Sequence, residues 1–167
     1  MTFDDSNQIK WISLGNITEI SNNMFDGFEK LEHLWVWSHA SKFTQFHAEG
    51  MNALTELTLV NKYLQTAEIS GPGALKEVVI QSDVLEGIDL SQSPVLKRLV
   101  LECPKLKTVD LAAEGTLESV TIKSGQLSRL NVEKNTALTV LTVNAGLLKS
   151  LDVTKNTKLE DLQVESC

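Results

Sequence analysis

Three sets of side chains in this chain could do chemistry by type and spacing. The first is a carboxylate series, Glu68, Asp89, Asp110 and Asp152, stepped by multiples of 21 residues with Asn131 in the intervening slot. Oxygen ligands repeated at a fixed step are the donors that calcium takes. The second set is His33, His39 and His47, whose imidazoles could bind zinc or serve as a general base. The third is the cysteine pair Cys103 and Cys167. The thiols do not form a CxxC zinc pair. They also stand three repeats apart, on the order of 14 Å at about 4.8 Å per strand, beyond the roughly 7 Å between Cα atoms that a disulfide spans. Two free thiols are expected. The sequence contains no phosphate-binding GxxxxGK[ST] loop, no HExxH and no GxSxG.

Composition narrows the function classes further. The 167 residues carry a formal charge of −7, and the pI is near 5.0. Nucleic acid and anionic membrane surfaces call for clustered Lys and Arg, so both are disfavoured. No apolar run approaches the roughly 20 residues of a membrane-spanning helix, so no membrane insertion is expected. The opening residues MTFDDSNQIK are acidic and polar, unlike a secretory signal peptide.

The element that positions all these groups is a repeat. Leu54, Leu75, Leu96, Leu117, Leu138 and Leu159 recur every 21 residues, and Phe43, Leu64, Leu85, Leu106, Leu127 and Leu148 form a second series with the same period. The two series, A and B, interleave at two alternating steps, the one from Phe43 to Leu54 and the slightly shorter one from Leu54 to Leu64. Each position opens an LxxLxL pattern. Apolar and polar residues alternate within the pattern, the signature of a strand with one buried face. Gly and Pro fall between the patterns and mark turns. One such unit cannot bury its apolar face alone. Stacked units can, and their stability is then a sum of contacts between neighbours. The expected result is two parallel sheets packed face to face.

The stretch LSRLNVEKNTALTVLTVNAGLLKSLDVTKNTKL (residues 127–159) resembles the bacterial leucine-rich repeats of this same period with a nested half-repeat, LxxLxLxxN–LxxLDLxxN, known from Bacteroidetes-type surface proteins. The resemblance covers roughly residues 43–167. It implies a right-handed leucine-rich-repeat solenoid, mostly β, with one A or B step per half-turn, and a place at the cell surface or in the periplasm. Residues 17–37, ITEISNNMFDGFEKLEHLWVW, resemble the BspA-like repeat class. That likeness makes Met24-Phe25 a buried turn and allows a short helix over residues 26–30. Residues 1–42 are accordingly read as divergent capping repeats and residues 43–167 as regular ones, in one continuous solenoid domain. The Asn expected near the end of the A half stands only at Asn61; Ser82, Cys103, Ser124, Ala145 and Ser166 replace it elsewhere, so the turn there must be held differently. The resemblance also makes Asp a normal occupant of the carboxylate series. Each Asp is therefore read as a hydrogen-bond acceptor in its turn, with Lys107, Arg129, Lys134 and Lys149 as nearby counter-charges, rather than as a metal ligand.

Register assigns sides. His33 should face the A side, His47 the B side, and His39 the turn between, so the three cannot converge on one metal or nucleophile. The outward columns of the A side read Trp11, His33, Glu56 in one line, Trp35, Thr58, Val79, Val100 in the next, and Trp37, Val60 in a third. All nine aromatics lie at or before Tyr63. Phe25, Phe28, Phe43 and Phe46 read as core, whereas Trp35 and Trp37 alternate with the inward Leu34 and Val36. Exposed indoles beside valines form the kind of patch that binds something, unless residues 1–8 or an irregular cap fold over them. The expectation is a non-catalytic recognition module without a cofactor, taking a protein partner over Trp11, His33, Trp35, Trp37, Glu56, Thr58, Val60, Val79 and Val100. The alternatives are carbohydrate binding by the tryptophans and a structural spacer. The chain stops at Cys167 directly after an A strand, an end expected to permit self-association.

Overall fold

The computed structural model describes residues 2–3 (backbone only), 9–69, 71, 73–111 and 115–165. Thirteen strands run through them: β1 (Thr2–Phe3), β2 (Ile9–Ile17), β3 (His33–Ser38), β4 (Gln45–His47), β5 (Glu56–Val60), β6 (Thr66–Glu68), β7 (Glu77–Gln81), β8 (Gly87–Asp89), β9 (Arg98–Glu102), β10 (Thr108–Asp110), β11 (Ser119–Ser124), β12 (Val140–Ala145) and β13 (Asp161–Glu165). The A halves form one nine-stranded sheet in the order β1-β2-β3-β5-β7-β9-β11-β12-β13. It is parallel throughout except at β1, which pairs antiparallel with the outer edge of β2.

The stacking register keeps every column intact. Leu57, Val78, Leu99, Val120, Leu141 and Leu162 are paired in succession, as are Leu59, Ile80, Leu101, Ile122, Val143 and Val164. From Leu57 to Leu141 and from Leu59 to Val143 these side chains are essentially inaccessible to water. They meet the inward residues of the B halves, Leu64, Leu85, Leu90, Leu106, Leu127 and Val132, in one continuous core. Branched aliphatics suit this site because their side chains stack well on a pleated, buried surface. Toward the N-terminus the core is filled by rings instead: Phe25 meets Phe43 and Phe46 edge to face, with centroids 6.1 and 6.2 Å apart. At the far end β13 lies open, with Leu162 and Val164 about half exposed.

The B side is thinner than its apolar columns suggest. Its strands are three residues long and pair two by two, β4 with β6 and β8 with β10. Beyond β10 the B halves of the described residues run as turns without a strand. No helix occurs among the described residues, and the short helix allowed for residues 26–30 is a series of turns. Gly27 takes a positive φ of 82° within that segment, a conformation that interrupts a right-handed helix. The Met24-Phe25 turn is half-buried rather than buried: Phe25 is enclosed and Met24 is exposed.

The turn that follows each A strand explains why Asn is dispensable there. In every turn the leucine or phenylalanine opening the B half must satisfy its backbone N–H. Behind Ala40, Asn61, Cys103 and Ala145 that N–H donates to the backbone carbonyl three residues back, at 2.9–3.2 Å. Behind Ser82 and Ser124 it donates to the serine Oγ, at 3.2 Å in both. The same hydroxyls accept from Val84 and Gln126 and donate to the carbonyls of Leu64 and Leu106, at 2.6 and 2.7 Å. Asn61 reaches further and donates to the Ala40 carbonyl of the preceding turn. Cys103, a free thiol, makes a longer contact to the Ile80 carbonyl at 3.7 Å. Ser166 and Cys167 lie outside the described residues. On the B side asparagine stands only in the later turns, with Ser93 at the equivalent earlier place: Asn135 donates to the Leu111 carbonyl, and Asn156 to those of Val132 and Asn135.

Candidate functional site

The outward columns of the A sheet fall where the register places them. Trp11, His33, Glu56, Glu77 and Arg98 are successive partners in one line. Ser13, Trp35, Thr58, Val79 and Val100 form the second, and Gly15, Trp37, Val60 and Gln81 the third. The structure thus brings the nine residues onto one face, over the five neighbouring strands β2, β3, β5, β7 and β9. The indoles stand out from it: Trp11 is 36 % exposed, Trp35 42 % and Trp37 65 %. Thr58 and Val60, in register beside Trp35 and Trp37, and Val79 and Val100 on the next two strands are half-buried.

Contacts within the patch run across strands. Trp11 and Trp35 meet edge to face, with centroids 5.5 Å apart and planes at 78°. Trp11 also meets His33 edge to face at 6.4 Å. His33 Nδ1 lies 3.1 Å from the Glu56 carboxylate. Around it the charges pair in columns: Lys10 with Glu32 at 2.8 Å, Arg98 with Glu77, Lys123 with Glu102 at 2.7 Å, and Lys97 with Glu118 at 2.8 Å. Such exposed pairs contribute little stability singly, but they leave the face with few unmatched charges.

One feature escaped the sequence. Asn16 adopts a positive φ of 56°, and the pairing of β2 with β3 slips between Gly15 and Ile17. This is a bulge beside Trp37. Gly15, the partner of Trp37, places no side chain beside the indole on that strand, and among the described residues nothing lies within 4 Å of where its Cβ would be. An Asn after a Gly is the only sequence sign of it, since Asn tolerates the left-handed region better than most residues.

The carboxylate series is occupied by its own turns. Asp89 accepts from the Ser91 N–H at 2.8 Å and Asp152 from the Thr154 N–H at 2.9 Å, and Asn131 does the same for Glu133. Hydrogen bonding to Ser91 holds the Asp89 carboxyl below the usual aspartate range, and bonding to Thr154 does so for Asp152. Glu68 meets His47 Nδ1 at 3.1 Å. Lys107 is not a counter-charge for the aspartates: it pairs with Glu86 at 2.7 Å. Among the described residues no group of three His, Cys, Asp or Glu side chains could hold a metal ion. His33, His39 and His47 lie on the A face, in the turn and on the B face.

No family model matches this chain, and no curated protein matches it. Among solved structures, the functional domain of InlJ from Listeria monocytogenes, described as including a cysteine ladder, is similar at 27 % identity and a TM-score of 0.75. The match covers 89 % of this chain and 32 % of that one. The fold is a leucine-rich-repeat solenoid. The present solenoid therefore spans about a third of the InlJ chain it matches. Cysteine stands at only one position of its A turns among the described residues. The corresponding positions hold Asn61, Ser82, Ser124 and Ala145, so this chain carries no cysteine ladder there. No helix of the described residues is long and apolar enough to cross a membrane.

Proposed function

We propose that this solenoid is a non-catalytic recognition module whose A face binds a protein partner over Trp11, His33, Trp35, Trp37, Glu56, Thr58, Val60, Val79 and Val100. One observation carries the reading: two indoles at alternate positions of β3 project from the sheet, 42 % and 65 % exposed, beside a row of half-buried valines. Leaving that much aromatic surface in water has no benefit for folding, and tryptophan dominates the energetics of protein interfaces. A rigid parallel sheet supplies the support, since it holds the side chains in fixed register without ordering on contact. Residues 1–42 act as the divergent capping turns and residues 43–167 as the regular scaffold. A place at the cell surface or in the periplasm accords with this reading and with the repeat class the chain resembles.

The geometry weighs against the carbohydrate alternative. A glycan chain is gripped by aromatic rings that lie flat in a row, whereas Trp11 and Trp35 stand nearly perpendicular. The decisive experiment places a photocrosslinking amino acid at Thr58 on the A face or at Thr108 on the B face. The reading expects adducts from Thr58 that disappear when Trp35→Ser and Trp37→Ser are introduced together, in a protein whose circular dichroism shows it still folded at the assay temperature. Adducts that survive the double substitution, or that form only from Thr108, would sink it. A glycan array tests the carbohydrate reading, and silence in both experiments leaves a structural spacer.

A further inference from the structure

We infer that the Trp11–Trp35–Trp37 corner receives a cationic side chain of the partner, an arginine or a lysine, with Glu56 as its counter-charge. The inference rests on the A face being the docking surface and names the chemistry that surface selects.

Three observations support it. The first is shape. Trp11 and Trp35 meet at 78°, so together they form a corner rather than a flat apolar floor. Indole faces carry the negative lobe of the ring quadrupole, and a cation in such a corner is attracted by them where a neutral aliphatic group gains only contact. The second is charge. On β2, β3 and β5 the only Lys or Arg is Lys10, and Glu32 holds its ammonium at 2.8 Å. The carboxylate among their outward columns is Glu56, paired with a histidine rather than with a Lys or Arg. One strand further, Glu77 is held by Arg98, and Lys76 stands at the foot of β7 outside the columns. Among the described residues an anionic partner group would find no uncommitted cation beside the indoles, since Lys10 and His33 both face carboxylates. A cationic one would find indole faces and a carboxylate on the strand beside Trp35. The third is room. Among the described residues, Gly15 and the Asn16 bulge put no side chain against the β2 side of Trp37, so a planar guanidinium can lie against it.

The test is a fluorescence titration of the full chain with an acetylated, amidated tetra-arginine peptide, set against its uncharged citrulline counterpart. The expected result is a saturable change in indole emission with the arginine peptide only, weakened by added salt. Glu56→Gln should weaken it by a factor on the order of five, the range expected for one exposed charge or cation–π contact, and Trp35→Leu should abolish it. Peptide held by the B-face aspartates is silent in this readout, because that face has no tryptophan, and Asp89→Asn with Asp110→Asn should leave the signal unchanged. Equal responses to the arginine and citrulline peptides, or an unaltered response in both Glu56→Gln and Trp35→Leu, would overturn the inference. Crosslinking from Thr58 decides the docking surface separately: adducts there without discrimination between the two peptides keep the surface and remove the cation.

Discussion

Trp11 and Trp35 lie on adjacent strands, diagonal to one another, and meet edge to face with ring centroids 5.5 Å apart. The pair joins β2 to β3 through groups that face water rather than the core. It gives the exposed face a fixed shape, and it makes each indole a separate reporter on that face.

Iodide should therefore quench the native tryptophan emission strongly. Replacing Trp37 with Phe should remove the largest part of the quenched component, because Trp37 is the most exposed of the three. Quenching no stronger than that of a buried indole would mean that the face is covered in solution. Trp37→Ala should change stability by no more than about 0.5 kcal/mol, as for an ordinary surface substitution. Trp35→Ala should cost up to about 1.5 kcal/mol more, through its edge-to-face contact.

Ser82→Ala and Ser124→Ala should each lower the unfolding free energy by about 1–3 kcal/mol, since each removes a buried hydroxyl that accepts two backbone N–H groups and donates to a carbonyl. Urea denaturation measures this. Ala145→Ser, at the same point of a later turn, should be neutral or stabilising, and a clear loss there would show that the serine geometry is not transferable.

Burial pushes the Cys103 thiol up to about 11 from an ordinary value of 9.0. In a Cys167→Ser protein the native chain should react with a disulfide reagent at mildly alkaline pH only at the rate of unfolding, and should release one equivalent in denaturant. The linkage has a definite sign. The folded state retains the proton longer than the unfolded chain, so this contribution is complete below pH 9 and is lost as the pH rises from about 9 to 11. Cys103→Ser should flatten that alkaline limb of the stability profile.

Asp89 is held below the usual range by hydrogen bonds from the Ser91 side chain and then its backbone, and Asp152 by those from the Thr154 backbone and then its side chain. Their contribution is complete above the ordinary aspartate value of 3.8 and is lost as the pH falls through it toward the depressed values. Asp89→Asn should keep the turn and remove its share of the acid dependence, because Asn131 makes the same bond in a later turn. Asp89→Ala should lower the urea midpoint at neutral pH. Calcium titration of the intact chain should give no heat; a saturable signal would show that these carboxylates do more than cap turns.

The columns were legible because one period governs them. Once Leu57 and Leu59 are inward, Thr58 and Val60 must be outward, and the same rule exposes Trp35 and Trp37 beside Leu34 and Val36. The B strands were less legible. Apolar residues such as Leu130 and Val132 are inward whether or not their backbones pair, so burial periodicity cannot report how much ladder forms. The turn residues were illegible in a different way: Asn, Ser, Cys and Ala occupy one position through different bonds, and a residue type alone does not say whether its side chain or the backbone satisfies the next N–H. The irregular segment before β3 has no repeated neighbour to fix its register, which is why its helix expectation failed and its bulge at Asn16 went unseen.

That irregular start bears on how the chain finds its own alignment. From Glu56 to Asp161 successive partners always stand one repeat period apart, as Glu56 and Glu77 do. The step from Trp11 to His33 is one position longer than that period, and the step from His33 to Glu56 is two positions longer. A stack of near-identical coils can mispair by a whole coil at little energetic penalty, since leucine meets leucine in either arrangement. The unequal first steps and the Phe25, Phe43, Phe46 cluster fit only one partner each. They act as the index mark of an otherwise uniform screw, from which every later coil takes its count.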